Sequence, residues 1–296
     1  MMPKQNLKVN LHVCEHCNYH CMHCFAKFGC TKMLNVETWS KIVENVMKSG
    51  RVAEINIAGG EPLLHPQMME IVDVVRSYGV PVSLVTNGSL MTNDWIQQNG
   101  HKFKTIGFSI DALTPELQRT VGRCTASGGV ISPEEFGEKI VLLREVNPEI
   151  RIKVNTVISK VNLLDNLAEY VKSWQIDRWK LLKMQIFDDG VHCNAGIAVS
   201  DQEYDRYAEN VLASFGMAFD SEQVLYQAGK MEIVAERFLK GGYLMIGANG
   251  FLLDDTKNES YTRVCDCRSE SFAEGLKKLT FYEELYTSRY EKDLTF

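Results

Sequence analysis

The sequence predicts an α/β fold: a parallel sheet of about six β/α units, open or partly closed into a barrel, followed by a C-terminal extension. Three observations carry that expectation. Short β-rich runs alternate with segments of helical periodicity as far as Phe215. A strand that returns parallel to its predecessor needs a crossover, and a helix is the usual one. The 296 residues, 45% hydrophobic and 24% charged, hold enough apolar material for a large core, and α/β barrels routinely take more than about 200 residues as one unit.

The elements follow in order. The first run, LKVNLHV at 7–13, leads to a helix over 36–48 on which Trp39, Ile42, Val43, Val46 and Met47 make one apolar stripe. Residues 54–58 precede a helix from Pro66, and residues 81–87 precede one near Asp94. A strand at 104–111 is followed by the Gly-rich stretch CTASGGV, read as a loop, and a helix over 133–146. Strands at 151–158 and 178–186 are followed by helices over 164–172 and 202–215. Beyond Phe215 the rhythm stops, leaving a helix near 231–238, a hairpin in YLMIGANGFLLDD and a short helix over 271–278. The expected division is therefore a barrel over residues 1–215 and an extension over 216–296.

Composition narrows the function classes. A net charge of −6, from 38 acidic and 32 basic residues, argues against broad attraction to nucleic-acid backbones or anionic lipid. No segment approaches the ~20 continuous apolar residues of a membrane helix, and the polar start MMPKQNLKVN is unlike a signal peptide. The expectation is a cytoplasmic protein with neither a nucleic-acid nor a membrane partner. Nine cysteines are an odd number, and four of them crowd between Cys14 and Cys24, too tightly for ordinary disulfides. Metal or cluster binding becomes the first question.

Successive strand side chains point to opposite faces, so each run can be split by parity. Ile55 and Ile57 oppose Glu54, Asn56 and Ala58; Ile106, Phe108 and Ile110 oppose Thr105, Gly107, Ser109 and Asp111. Ile152, Val154 and Ile158 oppose Arg151, Lys153, Asn155 and Val157. Covering helices need the apolar face, so the polar one is expected to line the interior and to hold a polar ligand. Arg178 and Lys180 share a face opposite Trp179 and Leu181, so Lys153, Arg178 and Lys180 point inward from adjacent strands. Unpaired buried charge costs several kcal/mol. A bound polyphosphate relieves it; so does a place at strand ends in solvent, or pairing with Glu54 and Asp111.

CNYHCMHC sets Cys17, Cys21 and Cys24 at C-x3-C-x2-C spacing after the first strand. Three thiolates can hold three irons of a [4Fe-4S] cluster and leave the fourth open to a ligand. The alternative adds Cys14 to make a closed four-thiolate zinc knuckle in a binding module. The stretch is compact for wrapping one metal unless His16, His20 or His23 takes part, which favours Cys14 as a strand end. Cys265 and Cys267, like Cys30, Cys124 and Cys193, read as ordinary residues.

The cysteine triplet, followed one strand later by AGGEP at 58–62, resembles the radical S-adenosylmethionine (SAM) superfamily, whose fold is a partial (βα)6 parallel barrel. The resemblance implies a [4Fe-4S] cluster on Cys17, Cys21 and Cys24. It also implies contacts to S-adenosylmethionine from Gly59, Gly60 and Glu61, from Asn87 in VTNGS, from Ser109 in FSIDAL and from Arg123 in VGRC. Where the superfamily usually has an aromatic before the last cysteine this chain has His23, with Phe25 just after, which leaves adenine stacking open.

The later motifs are the more discriminating. KVNTVISKVN at 153–162 followed by DRWK at 177–180 is similar to the K-I-N-x-V-I-x-x-x-N run and V-R-W-K of viperin-like enzymes, and SESFAEGLKKL is similar to a V-E-E-A-I segment near their end. The resemblance implies a nucleoside triphosphate substrate gripped by Lys153, Asn155, Arg178 and Lys180. It implies reductive cleavage of S-adenosylmethionine to a 5′-deoxyadenosyl radical, supplied with electrons by an unidentified donor, and abstraction of ribose H4′. Acid-aided loss of the 3′-hydroxyl and uptake of one electron then give a 3′-deoxy-3′,4′-didehydro nucleotide, a chain terminator of antiviral type. Tyr243, in GGYLMIGANG, falls where similar proteins have a tyrosine and is the candidate acid, since a phenol is protonated at neutral pH; packing in the hairpin is its other reading. The extension is expected to close the active site. Glu54 and Ala58 depart from the lysine and serine of vertebrate members, as do residues 181–183 from their V-F-Q, so base selection is open. The rival is a radical enzyme acting on a peptide, a tRNA base or a small metabolite.

Overall fold

The computed structural model describes residues 7–26, 32–257, 260–281 and 286; Cys30 lies outside them. In chain order the elements are β1 (Leu7–His12), α1 (Val36–Met47), β2 (Val52–Ala58), α2 (Met68–Ser77), β3 (Val82–Thr86), α3 (Asn93–Asn99), β4 (Thr105–Ser109), α4 (Pro115–Thr120), α5 (Pro133–Val146) and β5 (Arg151–Ile158). They continue as α6 (Ala168–Ser173), β6 (Arg178–Lys183), α7 (Asp201–Ala213), β7 (Leu225–Ala228), β8 (Met231–Glu236), β9 (Leu244–Ile246), β10 (Phe251–Asp254), β11 (Thr262–Asp266) and α8 (Phe272–Lys278). Local chemistry sets many boundaries. Asn35 caps α1 by accepting from the Thr38 N–H, and Ser132 and Ser200 open α5 and α7 in reciprocal pairs with Glu135 and Glu203. Trp39, Ile42, Val43 and Val46 of the expected stripe are buried.

The chain divides into two compact units. The first comprises residues 1–17, 26–85 and 240–296, with strand order β11-β10-β9-β1-β2-β3. There β1, β2 and β3 are parallel, β9 adds parallel to β1, and β10 and β11 return antiparallel. The second comprises residues 18–25 and 86–239, ordered β4-β5-β6-β8-β7, parallel from β4 through β8 with β7 antiparallel at its edge.

One element differs in kind from its expectation. Residues 231–236 form strand β8, not a helix. MEIVAE alternates with period two, Met231, Ile233 and Ala235 against Glu232, Val234 and Glu236, and six residues are short for a helix. Gly229, at φ +63°, turns the chain from β7 into it, and the free edge of β6 supplies the partner. The sheet therefore gains β7 and β8 after Phe215 in addition to the expected hairpin of β9 and β10.

The parity split is borne out on β5, where Ile152, Val154, Thr156 and Ile158 are buried and Arg151, Lys153, Asn155 and Val157 are half-buried. In the first unit the polar face of β1 and β2 is itself buried, and its charges pair within the unit. Lys8 pairs with Glu54, side chains 6% and 1% exposed, and Glu54 also accepts from the Ser83 hydroxyl. Asn56 Nδ2 donates to Asn10 Oδ1 at 2.9 Å, and Asn10 Nδ2 donates to the Leu244 carbonyl at 3.0 Å, which helps set the register of β9. Burial pulls the His12 imidazole down to about 4, so it is neutral at pH 7. Glu54→Ala leaves a buried ammonium and is expected to cost about 3–5 kcal/mol in urea unfolding, whereas the paired Lys8→Met/Glu54→Met exchange is expected near neutrality. An unchanged midpoint in Glu54→Ala would overturn this reading.

Candidate active site

The cysteine segment is held by close backbone contact in both units. In the first, Gly60 N–H donates to the Cys14 carbonyl at 2.8 Å and Glu61 N–H to the His16 carbonyl at 2.9 Å. A Cβ on Gly60 would lie 2.3 Å from the Glu15 and His16 oxygens, and one on Gly59 (φ +152°) 2.4 Å from the Cys14 oxygen. Only glycine lets the two chains approach so closely. The buried Glu61 carboxylate accepts from the Leu63 N–H, opening a short 3-10 turn at Pro62–Leu64.

In the second unit, His20 N–H donates to the Gly122 carbonyl and Met22 N–H to that of Val121, each at 3.0 Å. A Cβ on Gly122 (φ +79°) would lie 2.3 Å from the His20 oxygen. Asn87 Nδ2 donates to Asn18 Oδ1 at 3.0 Å, while Asn87 Oδ1 accepts from the Ser89 N–H and hydroxyl. Asn87 therefore braces the cysteine segment. Arg123 pairs with the buried Asp111, which also accepts from His23 Nε2 at 3.1 Å. Burial alone would raise the Asp111 carboxyl, but Arg123, His23 and the Val157 N–H outweigh it and hold it well below the usual carboxylate range. The sequence gives no local sign of this triad, since its members come from three segments.

The thiols sort into two kinds. Cys14 is buried and donates to the Glu61 carbonyl at 3.2 Å and, more weakly, to that of His16 at 3.6 Å. Burial, with Glu61 and Cys17 nearby, pushes its thiol up to about 12, so without a metal it stays protonated at pH 7 as a buried, hydrogen-bonded thiol. Cys17, Cys21 and Cys24 are half-buried, and their donor chemistry fits three ligands of an iron-sulfur cluster. Among the described residues no three His, Cys, Asp or Glu side chains are already gathered about a metal position.

The inward cations of the second unit have counter-charges that the sequence reading did not find. They are not Glu54 and Asp111, which pair with Lys8 and with Arg123 and His23. Arg178 Nε lies 2.7 Å from Glu232 Oε2, Arg151 approaches the same oxygen at 3.4 Å, and Lys180 pairs with Glu236. Both carboxylates come from β8, and the alternation of MEIVAE is the signal that could have found them. Register sets Gly107, Lys153, Arg178 and Glu232 in one row across β4, β5, β6 and β8, with Ser109, Asn155 and Lys180 in the next. Tyr243, half-buried, precedes β9. Met245 pairs with Asn10, so alternation sets Tyr243 on the polar face of β1.

A model of the Radical SAM superfamily matches residues 11–128, which include the cysteine triplet and the Gly-Gly-Glu-Pro turn. The crystal structure of Streptococcus suis SuiB superposes with a TM-score of 0.68 at 14% identity, over 95% of this chain and 67% of that one. SuiB bound to S-adenosylmethionine gives 0.66 at 14% identity, over 96% and 67%. The chain thus spans about two thirds of the length of SuiB, and the likeness shows the fold. Fold and motif are those of the radical SAM class. An S-adenosylmethionine-dependent nucleotide dehydratase of Selenomonas ruminantium is 36% identical over 285 residues, 96% of this chain and 98% of the relative. One from Fibrobacter sp. (strain UWH6) is 29% identical over 306 residues, 98% and 90%. The chain belongs to the S-adenosylmethionine-dependent nucleotide dehydratase family.

Iron and sulfide analysis after anaerobic reconstitution separates the thiols. Cys21→Ser is expected to lower bound iron sharply and Cys14→Ser to retain it. Gly60→Ala is expected to lower both iron content and melting temperature, because its methyl would meet two carbonyl oxygens at 2.3 Å. Full iron in Cys21→Ser would overturn the assignment.

Proposed function

We propose that this protein converts a nucleoside triphosphate to its 3′-deoxy-3′,4′-didehydro analogue. The observation that carries the reading is the charge on the polar face of the second unit. Arg151, Lys153, Arg178 and Lys180 share the polar face of β5 and β6, where Arg151 and Arg178 meet Glu232 and Lys180 meets Glu236. Four cations gathered on one face suit a polyphosphate.

With a [4Fe-4S] cluster held by Cys17, Cys21 and Cys24, cluster and S-adenosylmethionine supply the radical chemistry that takes a hydrogen atom from ribose C4′. Gly59, Gly60, Glu61, Ser109 and Arg123 orient S-adenosylmethionine, and Asn87 supports the loop beside it. Lys153, Arg178 and Lys180 hold the phosphates while Asn155 contacts the same ligand, fixing the ribose against the reacting centre. Tyr243 donates the proton with which the 3′-hydroxyl leaves as water, and one electron from an external donor completes the double bond. No helix among the described residues is long and apolar enough to cross a membrane.

The test is reconstituted protein with dithionite, S-adenosylmethionine and each of the four common nucleoside triphosphates, read by mass spectrometry. A dehydrated nucleotide is expected together with 5′-deoxyadenosine. Cofactor cleavage that yields no dehydrated nucleotide from any of the four would reject the reading in favour of a peptide, tRNA or metabolite substrate. Tyr243→Phe is expected to slow nucleotide dehydration by about 10²–10⁴-fold while cleavage of S-adenosylmethionine persists; an unchanged dehydration rate would remove Tyr243 from the mechanism.

A further inference from the structure

Both carboxylates of β8 meet cations of the neighbouring strands. Glu232 is bracketed by two guanidiniums, Arg178 at 2.7 Å and Arg151 at 3.4 Å, so loss of one contact leaves the other. Glu236, the last residue of β8, forms an ion pair with Lys180, and both side chains are almost wholly enclosed, 1% and 6% exposed. Lys180 lies beside Asn155 and two residues along β6 from Arg178, on the same face. Strand geometry separates Lys180 from Arg178 by about 6.6 Å, a spacing that suits a ligand whose charge is spread along a phosphate chain.

An arriving phosphate and the Glu236 carboxylate are both anions seeking one ammonium. Inside the protein they repel one another strongly if both stay. The proposed reaction changes the ribose and leaves the phosphates untouched, so every phosphate contact holds product as firmly as substrate and adds only uniform binding. A protein that gripped the phosphates with bare cations would be slow to release its product.

We infer that Glu236 is a displaceable counter-anion. It neutralises Lys180 in the nucleotide-free protein, yields the ammonium to the phosphate chain on binding, and re-forms the pair as the product leaves. The inference rests on the nucleotide reading above and adds a residue that sets how tightly the phosphates are held.

The experiment compares the reconstituted protein with Glu236→Gln, using inorganic tripolyphosphate in titration calorimetry. Removing the competing charge while keeping the side-chain shape is expected to tighten tripolyphosphate binding about tenfold. In turnover, KM for the nucleoside triphosphate and the inhibition constant of the didehydro product are expected to fall together, with no rise in kcat. A purely structural role would instead weaken binding in step with a lowered melting temperature. If Glu236→Gln does not fold, Glu236→Asp, which keeps the charge but shortens its reach to Lys180, carries the same expectation at smaller size. The paired Lys180→Met/Glu236→Met variant is expected to bind tripolyphosphate more weakly than the parent. Folded Glu236→Gln that binds no tighter than the parent, or a paired variant that binds as the parent does, overturns the inference. A parent protein that binds neither tripolyphosphate nor any nucleoside triphosphate removes the nucleotide reading itself, and this inference with it.

Discussion

A charge removed from water has to be met by an opposite charge, and that constraint organises the polar faces of both units. Solvation lost on burial costs several kcal/mol per ion, and mutual attraction returns it only where geometry is good and remaining donors are satisfied. In the first unit the pairing is local. Lys8 meets Glu54, the Ser83 hydroxyl adds a hydrogen bond, and Asn10 with Asn56 completes the row. In the second, Arg151, Arg178 and Lys180 take up the carboxylates of Glu232 and Glu236. The same constraint is met in each unit by carboxylates from a strand that neighbours the cation's own, Glu54 of β2 for Lys8 of β1 and Glu232 and Glu236 of β8 for Arg178 and Lys180 of β6.

The fold up to β6 is legible in the sequence because its signals are local. Alternating Ile and Val, apolar helix stripes and Ser or Asn caps each lie within one short window. The strands after α7 are harder to read for a physical reason. A six-residue run holding Ile, Val, Ala and two Glu is compatible with either a strand or a helical turn, and the free edge of β6, about fifty residues earlier in the chain, decides between them. β7 and β11, of four and five residues, depend on their edges in the same way.

The candidate site divides along the same line. Cys17, Cys21 and Cys24 are legible because ligand spacing is a property of one short segment, and the Gly-Gly-Glu-Pro turn because a close backbone approach selects glycine. The carboxylates are not. Parity correctly set Lys153, Arg178 and Lys180 on one face, and physical reasoning correctly required counter-charges. Their identity was hidden because Glu232 and Glu236 come from the one element whose type was misjudged. Asp111 was equally opaque, since Arg123 and His23 reach it from segments that are distant in sequence and only tertiary structure joins them.

The fourth cysteine shows how environment, more than composition, assigns a role. Cys14, Cys17, Cys21 and Cys24 are chemically identical in the unfolded chain, and their spacing alone permits a closed four-thiolate centre. Folding separates them. The Gly59–Gly60 turn packs against the backbone of Cys14, where the thiol is enclosed and given the Glu61 carbonyl to donate to. A thiolate there would lose its hydration, lie near the Glu61 charge and face an oxygen acceptor, so the proton stays on sulfur. The other three sulfurs keep partial access to solvent, where ionisation on binding iron meets less resistance. The glycine turn that fixes the segment is therefore also what sets Cys14 apart from the other three cysteines.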